Sequence, residues 1–268
     1  MEPRGLKKSL SQHLLKDENV LRKIVRVSDV RGEDTVVEIG AGTGGLTRFL
    51  AERAGIVYAI EIDESFRPFL DPLRDDFENL RIIYGDFLRI PLSSFASRSP
   101  LKVVGNIPYR ITGPLIIKLI KERTYVESAF LTVQKEVGER IKASPRTKQY
   151  GSLSVLCQTF FEIKAHFRLK PHLFTPPPSV ESLFLAMRLK EGCDADLDEG
   201  FLAFVRSCFQ MRRRLLRHAL LRRLDEETIT DLYSFMGFHS SVRAEEIEPK
   251  AFKEMYLFLT SYRSKKVS

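Results

Sequence analysis

The residues Asn106-Ile107-Pro108-Tyr109 follow the apolar run Lys102-Val103-Val104-Gly105, which places an amide, a proline and an aromatic ring at the end of a predicted strand. This combination suits one chemistry well. The exocyclic amine of adenine is a poor nucleophile because its lone pair is delocalised into the ring. A catalyst must draw the amine hydrogens out of that conjugation. The side-chain oxygen of Asn106 and the backbone carbonyl of Ile107 are two acceptors for those hydrogens, which leaves the lone pair aimed at an electrophilic methyl group. Pro108 stiffens the geometry. Tyr109 offers a face on which a base can stack, a contact worth ~1–3 kcal/mol for single-stranded nucleic acid, and it stabilises positive charge developing on the amine. The methylated aminium is strongly acidic and gives its proton to water. No general base is required, and positioning carries the catalysis.

A second group of residues points to a nucleoside. Gly40-Ala41-Gly42-Thr43-Gly44-Gly45 lies between a predicted strand and a predicted helix, where small residues let a ligand approach the backbone closely. Taken alone, this loop fits a dinucleotide enzyme equally well, since Gly40, Gly42 and Gly45 satisfy the same spacing. Glu61 follows about 20 residues on, at the end of the next strand, where a carboxylate can accept hydrogen bonds from both ribose hydroxyls. Asp86 ends the third strand and is placed to accept from the exocyclic amine of an adenine belonging to the cofactor. Gly40, Glu61, Asp86 and Asn106 thus fall at four successive strand ends, and ligands of open α/β sheets bind beyond those ends.

The elements that must hold these residues read as a doubly wound, mostly parallel α/β sheet. β-Branched runs at 35–39, 56–62, 81–84, 102–105 and 129–133 alternate with helical-period stretches such as 46–53, 64–77 and 114–121. Further strands are predicted at 162–168 and 182–188. An acidic, glycine-bracketed stretch at 191–200 reads as a linker. We therefore expect an α/β domain over 1–190 and a small all-α domain over 191–268, with Gly237 breaking two of its helices.

Composition narrows the surroundings. Lys and Arg outnumber Asp and Glu by 43 to 35, a formal charge of +8, which fits a polyanionic partner without naming it. The three cysteines, Cys157, Cys193 and Cys208, show neither metal-ligand nor redox spacing, so no metal site is expected and reduced thiols in the cytoplasm are. No apolar run approaches the ~20 residues of a membrane helix, and no apolar stretch follows Arg4, Lys7 and Lys8 as it would in an export signal.

Taken together, six blocks resemble the ribosomal RNA adenine dimethylase family over nearly the whole chain. They are Ser11-Gln12-His13-Leu14-Leu15, Glu38-Ile39-Gly40-Ala41-Gly42-Thr43-Gly44, Asn106-Ile107-Pro108-Tyr109, Tyr150-Gly151-Ser152-Leu153-Ser154-Val155, Phe174-Thr175-Pro176-Pro177-Pro178-Ser179-Val180 and Phe209-Gln210-Met211-Arg212-Arg213-Arg214. The match is best to the branch that dimethylates two adjacent adenines near the 3′ end of small-subunit rRNA, with a part in ribosome biogenesis. The resemblance implies a Rossmann-like domain that binds S-adenosylmethionine, with residues 1–28 covering the cofactor. His13, Leu15, Gly40, Gly42, Glu61, Asp86 and Asn106 would hold that cofactor. The family usually has Asn where this chain has His13, so a ring nitrogen would have to replace the amide. Phe174 would be the second aromatic wall against the target adenine, opposite Tyr109. The implied partner is small-subunit rRNA within a partly assembled small ribosomal subunit, met by a monomer.

The C-terminal arginines fit that partner. Arg212, Arg213, Arg214, Arg217, Arg222 and Arg223, together with Arg206, crowd a stretch of helical period whose other side is Phe204, Phe209, Leu215, Leu216, Ala219 and Leu220. They are expected to contact RNA phosphates, which position an RNA without reading its sequence. Other readings remain open at this stage: a large-subunit rRNA adenine methyltransferase of the macrolide-resistance type, a non-catalytic RNA-binding assembly factor on the same fold, and a nicotinamide oxidoreductase. The last leaves Asn106–Tyr109 without a task.

Overall fold

The computed structural model describes residues 13–96, 100–192, 198–211 and 214–267. They form nine strands: β1 (Leu14–Leu15), β2 (Thr35–Ile39), β3 (Ile56–Glu61), β4 (Leu80–Tyr84), β5 (Leu101–Asn106), β6 (Val126–Gln134), β7 (Phe161–Leu169), β8 (Phe174–Thr175) and β9 (Ser182–Leu189). The α-helices are α1 (Glu18–Val27), α2 (Gly45–Ala51), α3 (Arg67–Leu70), α4 (Leu73–Asp76), α5 (Thr112–Lys121), α6 (Lys135–Ile141), α7 (Ser152–Phe160), α8 (Glu199–Cys208), α9 (Leu216–Leu220), α10 (Glu226–Met236) and α11 (Pro249–Val267). The chain divides into two compact units, residues 1–138 with 162–189 and residues 139–161 with 190–268.

The first unit is built on a seven-stranded sheet of order β4-β3-β2-β5-β6-β9-β7. β4, β3, β2, β5 and β6 run parallel, and β9 joins β6 antiparallel. The central strands are buried on both faces, which is why they read as continuous Val, Ile and Ala runs instead of alternating. α1 is capped by Asp17, whose carboxylate accepts from the Val20 N–H at 3.0 Å. Its Leu21, Ile24 and Val25 recur on one face and enter a core with Phe49, Leu50, Val36, Val104, Phe130 and Phe184.

Strand order reverses between β2 and β5, because the chain goes outward through β3 and β4 and then returns to pair β5 with the opposite side of β2. The crevice beyond such a reversal is where open α/β sheets bind ligands. Here it brings the end of β2 against the end of β5, with Ile39 opposite Gly105. Gly105 is required at that register. A Cβ on it would lie 2.7 Å from the Ile39 carbonyl oxygen, and the two strand ends could not stay paired.

The predicted strands form within a few residues of the expected bounds, and the predicted helix over 64–77 does not. It is divided into a 3₁₀ turn at Glu64–Phe66, α3 and α4, because Pro68 falls in the first turn of α3 and Pro72 precedes α4.

The second unit is helical. Residues 139–161, which the sequence pattern leaves in the α/β part, group instead with the C-terminal helices. The reason is visible in α7, where Phe160 meets Phe201 of α8 edge-on with ring centroids 6.0 Å apart. Tyr150 donates its hydroxyl to the Ile247 carbonyl at 2.7 Å. Gly237 ends α10 with φ +63°, as the sequence predicts. Cys157 and Cys208 are buried free thiols, both pushed up by burial, Cys208 to about 12, and Cys193 lies outside the described residues. Among the described residues, no helix is long and apolar enough to cross a membrane.

Candidate active site

A cleft opens beyond the carboxyl ends of β2, β3, β4 and β5, lined by Gly40 and Gly42, by Glu61 and Ile62, by Asp86, Phe87 and Leu88, and by Asn106 to Ile111. His13 and Leu14 close one side of it.

The glycine loop is a chain of left-handed turns, with φ of +75°, +55° and +79° at Gly40, Gly42 and Gly44. A Cβ at Gly42 would sit 2.7 Å from Leu14 Cδ2, so that side chain would have to shift. The loop is tied down by Glu61. One carboxylate oxygen accepts from the Gly42 N–H at 2.8 Å and the other from the Asp63 N–H at 2.8 Å. Burial pushes the Glu61 carboxyl above the usual range, and the Asp63 and Gly42 N–H groups pull it back. Each oxygen keeps a lone pair for a further donor, which suits the two hydroxyls of a ribose. Asp86 accepts from the Leu88 N–H at 3.0 Å and caps the short turn that follows. Ile62, immediately after Glu61, is 49% exposed and offers an apolar face inside the cleft.

Asn106 ends β5 opposite Thr132, and the ladder continues one residue further, with the Ile107 N–H donating to the Thr132 carbonyl at 3.1 Å. The Asn106 side-chain nitrogen donates to the His13 carbonyl at 2.6 Å. That bond uses the donor end of the amide, so the acceptor oxygen is the end left for a ligand. Tyr109 is held by its hydroxyl on Ser182 Oγ at 2.7 Å, and burial raises its pKa.

His13 is fixed from both sides. Its Nδ1–H donates to the Pro176 carbonyl at 2.7 Å, and its ring lies 5.5 Å from that of Tyr109. β1 pairs with β8 antiparallel, Leu14 opposite Thr175 and Leu15 opposite Phe174, and this short ladder fixes the segment that carries His13.

The family model described as ribosomal RNA adenine dimethylase matches residues 4–261. The chain belongs to the ribosomal RNA adenine dimethylase family. A Chlorobium phaeobacteroides relative named ribosomal RNA small subunit methyltransferase A is 37% identical over 98% of this chain and 94% of its own length. A Clostridium botulinum protein of the same name is 36% identical over 92% of each chain. Among solved structures, a dimethyladenosine transferase from Plasmodium falciparum superposes with a TM-score of 0.79 at 26% identity, covering 93% of this chain and 98% of that one. The 23S rRNA methyltransferase ErmE superposes at 0.70 with 25% identity, covering 92% and 99%. Membership implies an enzyme that uses a methyl donor, and a nucleoside-bearing donor fits the paired Glu61 lone pairs, the glycine loop and the apolar face of Ile62.

Within the family frame, Gly40, Gly42, Glu61, Asp86, Asn106, Ile107, Pro108, Tyr109 and His13 come together as the sequence predicts. Two residues do not. Leu14, and not Leu15, lines the cleft; Leu15 pairs with Phe174, and both leucines pack against the core. Phe174 is 3% exposed and sits in that core, so the ring beside Tyr109 is that of His13. Sequence reasoning also missed Ile62, Phe87 and Leu88; their one signal was adjacency to the acidic strand ends.

In the second unit the arginine-bearing stretch is not one helix. It is broken between α8 and α9, where Leu215 is extended at φ −62° and ψ 143°. Arg212 and Arg213 lie outside the described residues. Arg214, Arg222 and Arg223 are exposed, while Arg217 pairs with Glu226.

One buried carboxyl stands behind the loop. Glu38 is 1% exposed, and burial pushes it up to about 7. The folded state holds this proton to a higher pH than the unfolded chain, whose carboxyl titrates near 4.5. The stability it contributes is therefore full below about 4.5 and is lost as pH rises to about 7. Glu38→Gln is expected to become more stable than the parent by roughly 3 kcal/mol on going from acid to alkaline buffer, relative to their difference in acid. Guanidinium unfolding of both proteins at several pH values checks this, and a pH-independent difference refutes it.

Proposed function

We propose that this chain is a small-subunit rRNA adenine dimethyltransferase, moving methyl groups from S-adenosylmethionine to the exocyclic amines of two adjacent adenines near the rRNA 3′ end. The observation that carries the reading is the Asn106 amide, whose nitrogen is spent on the His13 carbonyl so that its oxygen is free to accept an amine hydrogen. The names and identities of the bacterial relatives favour the small-subunit RNA over the large.

Bound in the cleft, the cofactor supplies a methyl group on a sulfonium, an electrophile that needs no activation by the protein. Glu61 would hold the ribose hydroxyls, Asp86 would accept from the adenine amine, and Ile62 would pack on the adenine face. On the acceptor side, Asn106 Oδ1 and the Ile107 carbonyl take the two amine hydrogens of the target base, and Pro108 limits the freedom of both. Tyr109 stacks on the base. Its ring face meets the developing positive charge, and burial pushes its phenol above the usual range. The amine nitrogen would take its methyl from the sulfonium, and the surplus amine proton would leave to water. Phe174 acts at one remove by pairing with Leu15, which keeps the His13 carbonyl on Asn106. The exposed Arg214, Arg222 and Arg223 of the helical unit bind RNA phosphates.

The test is mass spectrometry of small-subunit rRNA after incubation of partly assembled particles with protein and cofactor, with naked large-subunit RNA in parallel. Dimethyladenine in the first alone is the expected result. Label in the second alone overturns the choice of substrate. For the cofactor site, Ile62→Ser is expected to weaken S-adenosylhomocysteine binding about five- to tenfold through lost apolar contact, with the unfolding midpoint nearly unchanged. Calorimetry that finds equal affinity removes Ile62 from the site.

A further inference from the structure

β7 is the terminal strand of the sheet and carries the sequence FEIKAHFRL. Side chains two apart on a strand share a face, so Glu162, Lys164, His166 and Arg168 stand in one row at spacings of about 7 Å. Lys170 follows just past the strand end. Lys164, Arg168 and Lys170 are exposed, as are Lys23 on α1 and Arg188 on β9. The Lys23 ammonium sits 4.2 Å from the centre of the Phe167 ring. His166 is held below its ordinary pKa, first by burial and then by the charges of Lys164, Arg188 and Lys23.

Among the described residues, none of Lys23, Lys164, Arg168, Lys170 and Arg188 is in an ion pair. Of the acids nearby, Glu181 pairs with Lys135 at 2.7 Å while also feeling Arg168 and Lys170, Asp29 pairs with Arg31 at 2.9 Å while also feeling Arg188, Glu18 pairs with Arg22 and Arg48, and Glu162 lies on β7 itself. Lysines on an edge strand can simply prevent edge-to-edge pairing. That purpose needs one or two charges on the strand itself. Here cations from β7, α1 and β9 outnumber the acids beside them, an arrangement that attracts a polyanion.

The row also leads to the chemistry. From Lys170 the chain makes the turn Pro171–Leu173 into β8, whose Thr175 pairs with the cleft residue Leu14.

We propose that the outer edge of β7, with Lys23 and Arg188, is a docking surface for the sugar–phosphate backbone of the RNA whose adenine enters the cleft. This rests on the rRNA methyltransferase reading above and adds a contact surface on the α/β unit to the arginines of the helical unit. The contacts are to phosphates, so they set register without reading sequence.

The experiment is binding of small-subunit rRNA as a function of salt for the parent chain, for Lys164→Glu with Arg168→Glu, and for the charge-keeping Lys164→Arg with Arg168→Lys. The reversed-charge variant is expected to lose at least about tenfold in affinity, with the slope of log K against log salt reduced by about 1.5. Its affinity for S-adenosylhomocysteine stays unchanged, and the charge-keeping variant binds like the parent. Equal affinity and slope in parent and reversed-charge proteins overturn the surface while leaving the enzyme reading intact. Equal affinity with new oligomers in sedimentation does the same and assigns the charges to guarding the edge. A parent chain that binds no rRNA overturns both readings.

Discussion

Asn106→Ala is expected to lower methyl transfer by roughly 10²–10³-fold, an effect of the size seen when one preorganised transition-state hydrogen bond is deleted. The two ends of this amide have separate tasks. Its nitrogen is held at 2.6 Å from the His13 carbonyl, so its oxygen is locked in one orientation before any substrate arrives. Alanine removes that acceptor from the amine at the moment its lone pair must leave conjugation. RNA binding measured by filter retention should stay within a few-fold, because phosphate contacts lie elsewhere. Asn106→Asp separates orientation from acceptor strength. An ionised carboxylate cannot donate to the His13 carbonyl and places an oxygen against it instead, so β1 should loosen from β8, with faster hydrogen exchange at Leu14 and Leu15. Undiminished single-turnover rates in the alanine variant would remove Asn106 from the mechanism.

The parallel strands were legible because buried parallel strands are nearly continuous apolar runs, and the residues just past their ends, Gly40, Glu61, Asp86 and Asn106, are polar or glycine where the pattern stops. What escaped the sequence was decided by tertiary contact. Leu14 and Leu15 are chemically equivalent on paper; the β1–β8 register decides that the first faces the cleft and the second faces Phe174. Phe174 carries a strong family signature, yet a signature does not distinguish a ring that touches the base from one that holds the strand beside it. Ile62 looked like the tail of a strand. Only the end of β3 at Glu61 turns it into an exposed apolar surface. The arginine stretch kept its helical period through a break, because period reports on side-chain pattern and is blind to the extended backbone at Leu215.

Glu61→Gln is expected to raise the dissociation constant for S-adenosylhomocysteine by roughly 10²–10⁴, although it is isosteric. Both carboxylate oxygens already accept from backbone N–H groups, Gly42 on one side and Asp63 on the other, each at 2.8 Å. A glutamine has one acceptor oxygen, so whichever way it is turned its NH₂ meets a backbone donor. The buried N–H left facing it costs about 1–3 kcal/mol. The ribose contacts weaken as well, since bonds to a charged acceptor contribute about 1.5–3 kcal/mol each and one of the two is removed outright. The two losses fall in different places, which allows them to be told apart. Loop disorder from the orphaned Gly42 or Asp63 N–H should appear as faster amide exchange in the protein without ligand, while the ribose effect should vanish when a 2′,3′-dideoxy analogue replaces the ligand. Glu61→Asp keeps the charge but shortens the side chain, so it should lose the Gly42 bond and keep part of the ribose affinity. If Glu61→Gln instead binds the ligand as tightly as the parent protein, the carboxylate is a loop anchor alone and the ribose must be held by other groups.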